Sequence, residues 1–564
     1  MNKRITVSIL KYGLILICLL LFVAIGGLLI VGYDTFFGSL INKIALPESK
    51  HVDLKLLLSP ERKLAVWGIL IASFAASAIA LYFRDKLSDF LIRFGRDVKQ
   101  AFRHIFSDVC TAKGLAIMLI SFSLSVYLGL TVPVSYDEAY TYLTFVNKPF
   151  YYSATFYPSP NNHVLYSLLA NATEMLPFLS ELFCLRLPAI LLSLLSWIVI
   201  YSFIKRDFAE SLSVLATGIV SVLFMSVYYS FMARGYSCVV LLFVVCFWAS
   251  YNIINKGSRT KDWMFFMISS ILGVYTVPSF VYPLISLNAL ILICNYRNIR
   301  QQIAYNLVAV ASVGMLYAPI ILLQKQGLAA ITNNRFVAPI DRFEVIERLP
   351  SFIANTIFEI FGIPSLIIGG VVIVAFVMTC IRKNKQLILT WIVFLASPVL
   401  LLILHSVIPF PRTFIYYGFV LVFLICLSFR PYIEKLKTTY LLIAVIIIQV
   451  AAAINFTNKI DAYEGYNTAA KQVNEYVLKG EGKKYYLANS LCNIHFEYEY
   501  SIRGYDSANV KYDSYTVINA DTISGYDYVI IDKGNDATMH KTPLYENAYQ
   551  VVYSGEVAVT ETVR

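Results

Sequence analysis

The chain of 564 residues is 58% hydrophobic and 14% charged, with a mean hydropathy of +0.67. That excludes an ordinary soluble globular protein, in which charged residues make up about a quarter of the chain. The net charge of +11 does not point to nucleic acid, because Lys and Arg collect in short loops between apolar segments, which is a signal of membrane topology.

Apolar stretches near the ~20 residues a helix needs to cross a bilayer are predicted at 12–32, 64–83, 114–134, 184–204, 208–231, 236–254, 262–277, 278–294, 303–323, 363–381, 387–404, 414–429 and 439–456. No small-x-small cleavage site follows the first, so an uncleaved anchor is expected. Basic residues fix the orientation. Lys3, Arg4 and Lys11 precede the first span, and Arg84, Lys86, Arg93, Arg96, Lys99, Arg103 and Lys113 follow the second. Further basic clusters at 205–206, 256–261, 297–300, 382–385 and 430–437 keep the alternation, so these loops and the N-terminus are expected in the cytoplasm. Thirteen spans then place the loops 135–183, 324–362 and 405–413 outside, together with everything after 456.

From about residue 457 the chain turns polar, Tyr-rich and acidic. An amphipathic helix is predicted over 468–480, strands over 483–489 and 526–534, and a closing hairpin over 549–563. The expected fold is therefore a polytopic α-helical membrane protein with a small C-terminal extracytoplasmic α/β domain. Its parts are an N-terminal hairpin and basic loop (1–113), a membrane core (114–456) and a tail domain (457–564). The nine cysteines form no CxxC pair and no metal-like spacing with histidine.

Chemistry at the outer face needs an acid or base, cationic groups for a phosphate and room for a lipid chain. SYDEAY (135–140) places two adjacent carboxylates where the chain leaves the bilayer. Ser135 with Glu138 three residues on is also a capping box, whereas Asp137 has no such structural duty. In YPSPNNHVLYSLL (157–169), His163 has the chemistry to bind a phosphate or to open a helix, and Asn161 and Asn162 that to cap it. FMARGYS (231–237) and PFPRTFIYY (409–417) put Arg234 and Arg412 at outer helix junctions. Together they would serve as a phosphate clamp, and each alone is at least as well explained as an interfacial anchor.

In this order the segments resemble the GT-C membrane glycosyltransferases of the protein O-mannosyltransferase and aminoarabinose-transferase type, a family 39-like group. LRLPAILLS (185–193) resembles the start of that group's next helix, and LGVYTVPSF (272–280) its Tyr-Thr-His stretch, with Val277 where a histidine is common. The resemblance covers about 114–430. It implies a polyprenyl-phosphate sugar donor, a hydroxyl acceptor on a glycan, lipid or protein, and inverting transfer by a multi-pass enzyme of the inner membrane. It further implies Asp137 as catalytic base with Glu138 assisting, and Arg234, Arg412 and His163 on the donor phosphate. Asn161, Asn162, Tyr236 and Tyr416 would support them. A divalent metal on Asp137 and Glu138 would be compatible with the resemblance, but the ligand spacing gives it no support. No Rossmann or Walker motif calls for a nucleotide. A transporter or lipid flippase shares this hydropathy but should carry ionisable groups near the bilayer midplane. A non-catalytic scaffold would explain the tail but not three charged residues on one side.

Overall fold

The computed structural model describes residues 3–43, 53–177, 179–332, 339–459, 485–488, 493–504, 510–513, 527–532, 549–554 and 557–562. Helix α1 (Lys3–Val31) packs on α3 (Pro60–Tyr82), with the short α2 (Tyr33–Lys43) between them. Both long helices are apolar all round and bury almost none of their surface in protein, as helices bathed in lipid do. Arg62 ties this hairpin to the core by donating to the carbonyls of Ile321 and Gln324.

The basic stretch expected as a loop after α3 is a helix, α4 (Arg84–Val109). Leu87, Phe90, Leu91, Phe94, Val98, Phe102 and Ile105 recur at three- and four-residue spacing between its charges, giving an amphipathic face. Only Ser88 and Val109 of it are buried. The charges concealed a periodicity too polar to register as a span.

The core begins with α5 (Ala112–Thr131). The loop that follows, expected outside, is itself folded into α6 (Tyr136–Thr141), a π-turn at Tyr142–Val146, α7 (Tyr151–Thr155) and α8 (Val164–Thr173). Next come α9 (Glu181–Asp207), α10 (Glu210–Val222), α11 (Phe224–Phe231), α12 (Tyr236–Asn255), α13 (Thr260–Thr276), α14 (Val281–Cys294) and α15 (Ile299–Leu323). After the short α16 (Ala329–Thr332) the chain forms α17 (Arg342–Phe361), α18 (Ser365–Ile381), α19 (Lys385–His405), α20 (Tyr417–Ser428), α21 (Arg430–Ile433) and α22 (Thr438–Lys459). Segment 324–362, expected as an outer loop, thus contains a 20-residue amphipathic helix. It meets α18 at 93°, through Gly362 in the left-handed region at φ 68°.

Among the described residues, eight helices are long and apolar enough to cross a membrane, or ten spans if the bent pairs α10–α11 and α17–α18 count as one each. The remaining three of the thirteen expected segments form α13, α14 and α20, of 17, 14 and 12 residues. Pro278, which has no N–H to continue a helix, separates α13 from α14.

The centre of the bundle is α9 and α12, the most enclosed long helices. Small residues let neighbours close in: a side chain at Gly218 on α10 would run into Val445 on α22. Ser121, Ser125, Ser221, Ser230 and Gln449 link α5, α10, α11 and α22 by hydrogen bonds of 2.7–3.2 Å. In an apolar interior such bonds average about 0.6 kcal/mol each.

Beyond α22 a mixed sheet has strand order β2-β1-β3-β5-β4. Strand β1 (Tyr485–Ala488) is parallel to β2 (Val510–Asp513) and β3 (Tyr528–Asp532). Strand β5 (Val557–Thr562) runs antiparallel to β3 and to β4 (Tyr549–Ser554). Helix α23 (Asn493–Ile502) connects β1 to β2, since parallel neighbours need a crossover. The amphipathic helix expected over 468–480 lies outside the described residues.

Candidate active site

The chain leaves α5 through extended residues Val132–Val134 and re-enters a helix at Ser135. Both halves of the capping box are present: the Glu138 N–H donates to Ser135 Oγ at 3.3 Å, and the Ser135 N–H to Glu138 Oε2 at 3.0 Å.

Glu138 is fully buried and grips Arg186, also fully buried, through paired bonds of 2.8 and 2.7 Å. Arg186 also donates to the carbonyls of Gly129, Val132 and Pro133, satisfying the end of α5. Glu138 Oε1 further accepts the Ala233 N–H at 2.8 Å. One carboxylate thus fastens α5, α6, α9 and the α11–α12 junction. Burial alone would raise its pKa, but the Arg186 charge and hydrogen bond with the Ser135 and Ala233 amides carry it below the ordinary carboxylate range. Arg186 is the residue to which sequence reasoning gave no role. Its signal was an arginine one turn inside an apolar helix, where a buried charge needs an acid.

That anchoring leaves Asp137, the preceding residue of the same turn, partly exposed and aimed at two guanidiniums. Asp137 Oδ2 lies 3.2 Å from Arg412 Nη1 and 3.8 Å from Arg234 Nη2. Positions 137, 234 and 412 therefore converge, although they come from three separate helix junctions. Arg234 also donates to the Asn161 carbonyl at 3.2 Å and sits 3.4 Å from Thr141 Oγ1. The Nε atoms of both arginines are buried without a hydrogen-bond partner. Burial would lower the Arg412 pKa, but Tyr236, Tyr229 and Asp137 raise it further, so this guanidinium stays charged.

His163 completes the group. The Gly235 N–H donates to its Nδ1 at 2.6 Å, so in the neutral ring the proton sits on Nε2. Burial first, then Arg234 and Arg412, hold its pKa well below the ordinary histidine value. Nε2–H then stands 3.5 Å from Arg234 Nη2. Two donors facing one another share a space suited to an anion. Glycine is required at 235, because a Cβ there would lie 2.7 Å from Thr276 Cγ2 and 2.8 Å from His163 Cβ. The stretch LGVYTVPSF thus forms the wall behind the histidine, with Val277 ending α13.

Asn162 is buried and clamps its loop, donating to the Ser153 and Phe156 carbonyls and accepting from Ser167. Asn161 contributes its carbonyl to Arg234. The Tyr236 ring packs edge-on against His163 at 4.9 Å. Tyr416 is buried against Phe243 and Tyr417, with its hydroxyl unpartnered. No group of three or more His, Cys, Asp or Glu side chains gathers among the described residues. Both Glu138 oxygens are occupied by protein donors, so the residues present do not fit a divalent ion at Asp137 and Glu138.

Helix α23 covers the loop on its other side. Tyr498 is buried edge-on against Tyr142 at 5.1 Å, and Asn147 Nδ2 donates to Ser501 Oγ at 2.8 Å. Burial pushes the His495 pKa down to about 4, although the Glu138 charge opposes it.

A helical membrane bundle with a folded loop of this kind is the fold of the GT-C membrane glycosyltransferases, the class that the sequence motifs resemble. The family described as dolichyl-phosphate-mannose-protein mannosyltransferase matches residues 166–321. Two crystal structures of ArnT from Cupriavidus metallidurans superpose on this chain. The apo form has a TM-score of 0.53 at 11% identity, covering 80% of this chain and 97% of its own. The form bound to undecaprenyl phosphate has a TM-score of 0.53 at 10% identity, covering 80% and 99%. No curated protein matches the sequence.

Proposed function

We propose that the chain transfers a hexosyl or pentosyl group from a polyprenyl-phosphate donor to a hydroxyl acceptor on a glycan, lipid or protein, with inversion, at the extracytoplasmic face of the inner membrane. The observation that carries this reading is the convergence of Asp137 with Arg234 and Arg412. A scaffold has no use for a carboxylate shared by two guanidiniums, one of which also faces a buried histidine. The ArnT structure bound to undecaprenyl phosphate supports a polyprenyl-phosphate donor.

In the proposed reaction Asp137 takes the proton of the acceptor hydroxyl as its oxygen bonds to the sugar C1. The C1–O bond to phosphate breaks, and its electron pair stays on the phosphate. Arg412, Arg234 and the His163 Nε2–H stabilise that charge, an effect that is large in a site shielded from water. The donor phosphate competes with Asp137 for Arg412 and so releases the carboxylate as it binds. Glu138 acts as a positioning residue, through the backbone that carries Asp137. Asn161, Asn162 and Tyr236 shape the histidine loop and the surroundings of the arginines, while Tyr416 packs on Phe243 and Tyr417 and supports α12 and α20 behind the site. The short helices α13, α14 and α20 complete the proposed bundle of thirteen, with the N-terminus inside and the 457–564 domain outside, over the acceptor side.

The test is transfer of radiolabel from polyprenyl-phosphate sugars to membrane acceptors, comparing wild type with Asp137→Asn at equal expression. A loss of ~10²–10⁴-fold, the usual worth of a general base, is expected. Label transfer unaffected by the substitution would overturn the role of Asp137. No transfer from any donor would overturn the enzyme reading.

A further inference from the structure

A cavity of about 590 Å³ lies between α4 and helices α9, α12 and α13, well apart from the candidate active site. Its mouth is at Lys256, about 30 Å along α12 from Gly235, the thickness of a hydrocarbon core. It therefore opens at the opposite membrane face. From Lys256 its wall continues along α12 to Leu241, which is about 22 Å of helix. A leaflet is about 15 Å deep, half the hydrocarbon core, so the cavity runs deeper than one leaflet. Leu195, Val199, Leu241, Val245 and Phe265 make the interior apolar, and its volume lies within the ~300–1,000 Å³ of ligand pockets.

The mouth carries the chemistry. Four cationic side chains, three carboxylates and His104 line the cavity, and most of the charges are already engaged. Arg206 pairs with Asp108 and Lys256 with Asp207, while Arg259 holds Asp262 at 2.8 Å. Among the described residues, the two lining charges without an ion pair are Lys261, from the start of α13, and Asp97, from α4. An apolar shaft that ends in one free cation and one free anion matches an amphiphile whose headgroup carries both signs.

We propose that this cavity binds a membrane glycerophospholipid with a phosphate and a primary ammonium, phosphatidylethanolamine. Its phosphate meets Lys261, its ammonium meets Asp97, and an acyl chain fills the shaft along α12. The lipid bridges α4 to the core and so secures the N-terminal unit, whose own helices make few buried contacts. A purely anionic lipid would set its headgroup against the Asp97 carboxylate. A quaternary ammonium has no N–H to donate to it.

The test is native mass spectrometry of the full-length protein, delipidated and then exposed to dioleoyl phosphatidylethanolamine, phosphatidylglycerol or phosphatidylcholine. Phosphatidylethanolamine is expected to bind at least several-fold more tightly than either alternative. Lys261→Gln should weaken both phosphatidylethanolamine and phosphatidylglycerol, whereas Asp97→Asn should erase the preference between them. Both side chains are partly exposed, so these variants test the headgroup without disturbing the core. Val245→Trp, which fills the shaft, should abolish retention. Equal binding of the three lipids, a preference for phosphatidylglycerol, or binding indifferent to Asp97→Asn and Lys261→Gln would each overturn the proposal. Displacement of phosphatidylethanolamine by undecaprenyl phosphate at equal concentration would overturn the assignment to a glycerophospholipid.

Discussion

Two adjacent carboxylates in SYDEAY have opposite fates, and the difference lies in solvent access. Glu138 is buried and committed to Arg186, whereas Asp137 keeps an exposed edge beside Arg412. Breaking a buried pair leaves one charge without compensation, a loss of about 3–5 kcal/mol. Glu138→Gln is therefore expected to lower thermal stability in detergent strongly, and a Glu138→Gln, Arg186→Met double variant to recover much of the loss. The pair also has a pH signature. The folded-state pKa of Glu138 lies below its unfolded value, so its stabilisation is complete above the ordinary glutamate value of about 4.3 and is lost as pH falls through the depressed one. Acid unfolding profiles should show that loss in wild type and not in the double variant. Gly235→Ala tests the histidine: the new Cβ must displace His163 or Thr276, so transfer should fall at least tenfold while the protein still folds. The capping box and the separate character of Asp137 were legible in the sequence. The Arg186 pairing was not, because no spacing rule joins positions 48 residues apart.

At the scale of elements, the loop after α5 is held between the bundle and α23. Tyr498 sits in a cluster with Val134, Ala139, Tyr142 and Tyr166. Truncating a buried aromatic costs about 3–5 kcal/mol. Tyr498→Ala should detach α23, which limited proteolysis around 493–504 would reveal, and should reduce transfer by loosening the turn that carries Asp137. Where α8 turns toward α9, burial and then the Glu181 charge raise the Glu174 pKa to about 7. Because that value lies above the unfolded one, the stability it contributes is full below about pH 4.3 and is lost as pH rises to about 7. Glu174→Gln is expected to flatten that slope in thermal melts taken across the window. Helices α4 and α17 were hidden within stretches read as loops, since each carries too many charges to register as a span and only its periodicity identifies it.

For the whole molecule, the alternation of basic loops predicts that cysteines introduced at Ser258 and at Tyr136 label from opposite sides of sealed vesicles. Labelling of both from one side would refute the orientation. Hydrophobic run lengths and basic loops by themselves determined that the chain is a multi-pass helical membrane protein, with eight of its expected spans matched by helices of sufficient length and polarity and two more by bent pairs, because crossing a bilayer imposes a length and a polarity that local sequence must carry. Motif order determined the class that the fold then matched. Only the tertiary structure decided that Asp137, Arg234 and Arg412 meet, that Glu138 and Arg186 are a buried fastening, and that α4 closes a cavity against α9, α12 and α13. Those facts depend on which helix ends come together, and helix packing joins residues hundreds of positions apart through shape and charge that no local window contains.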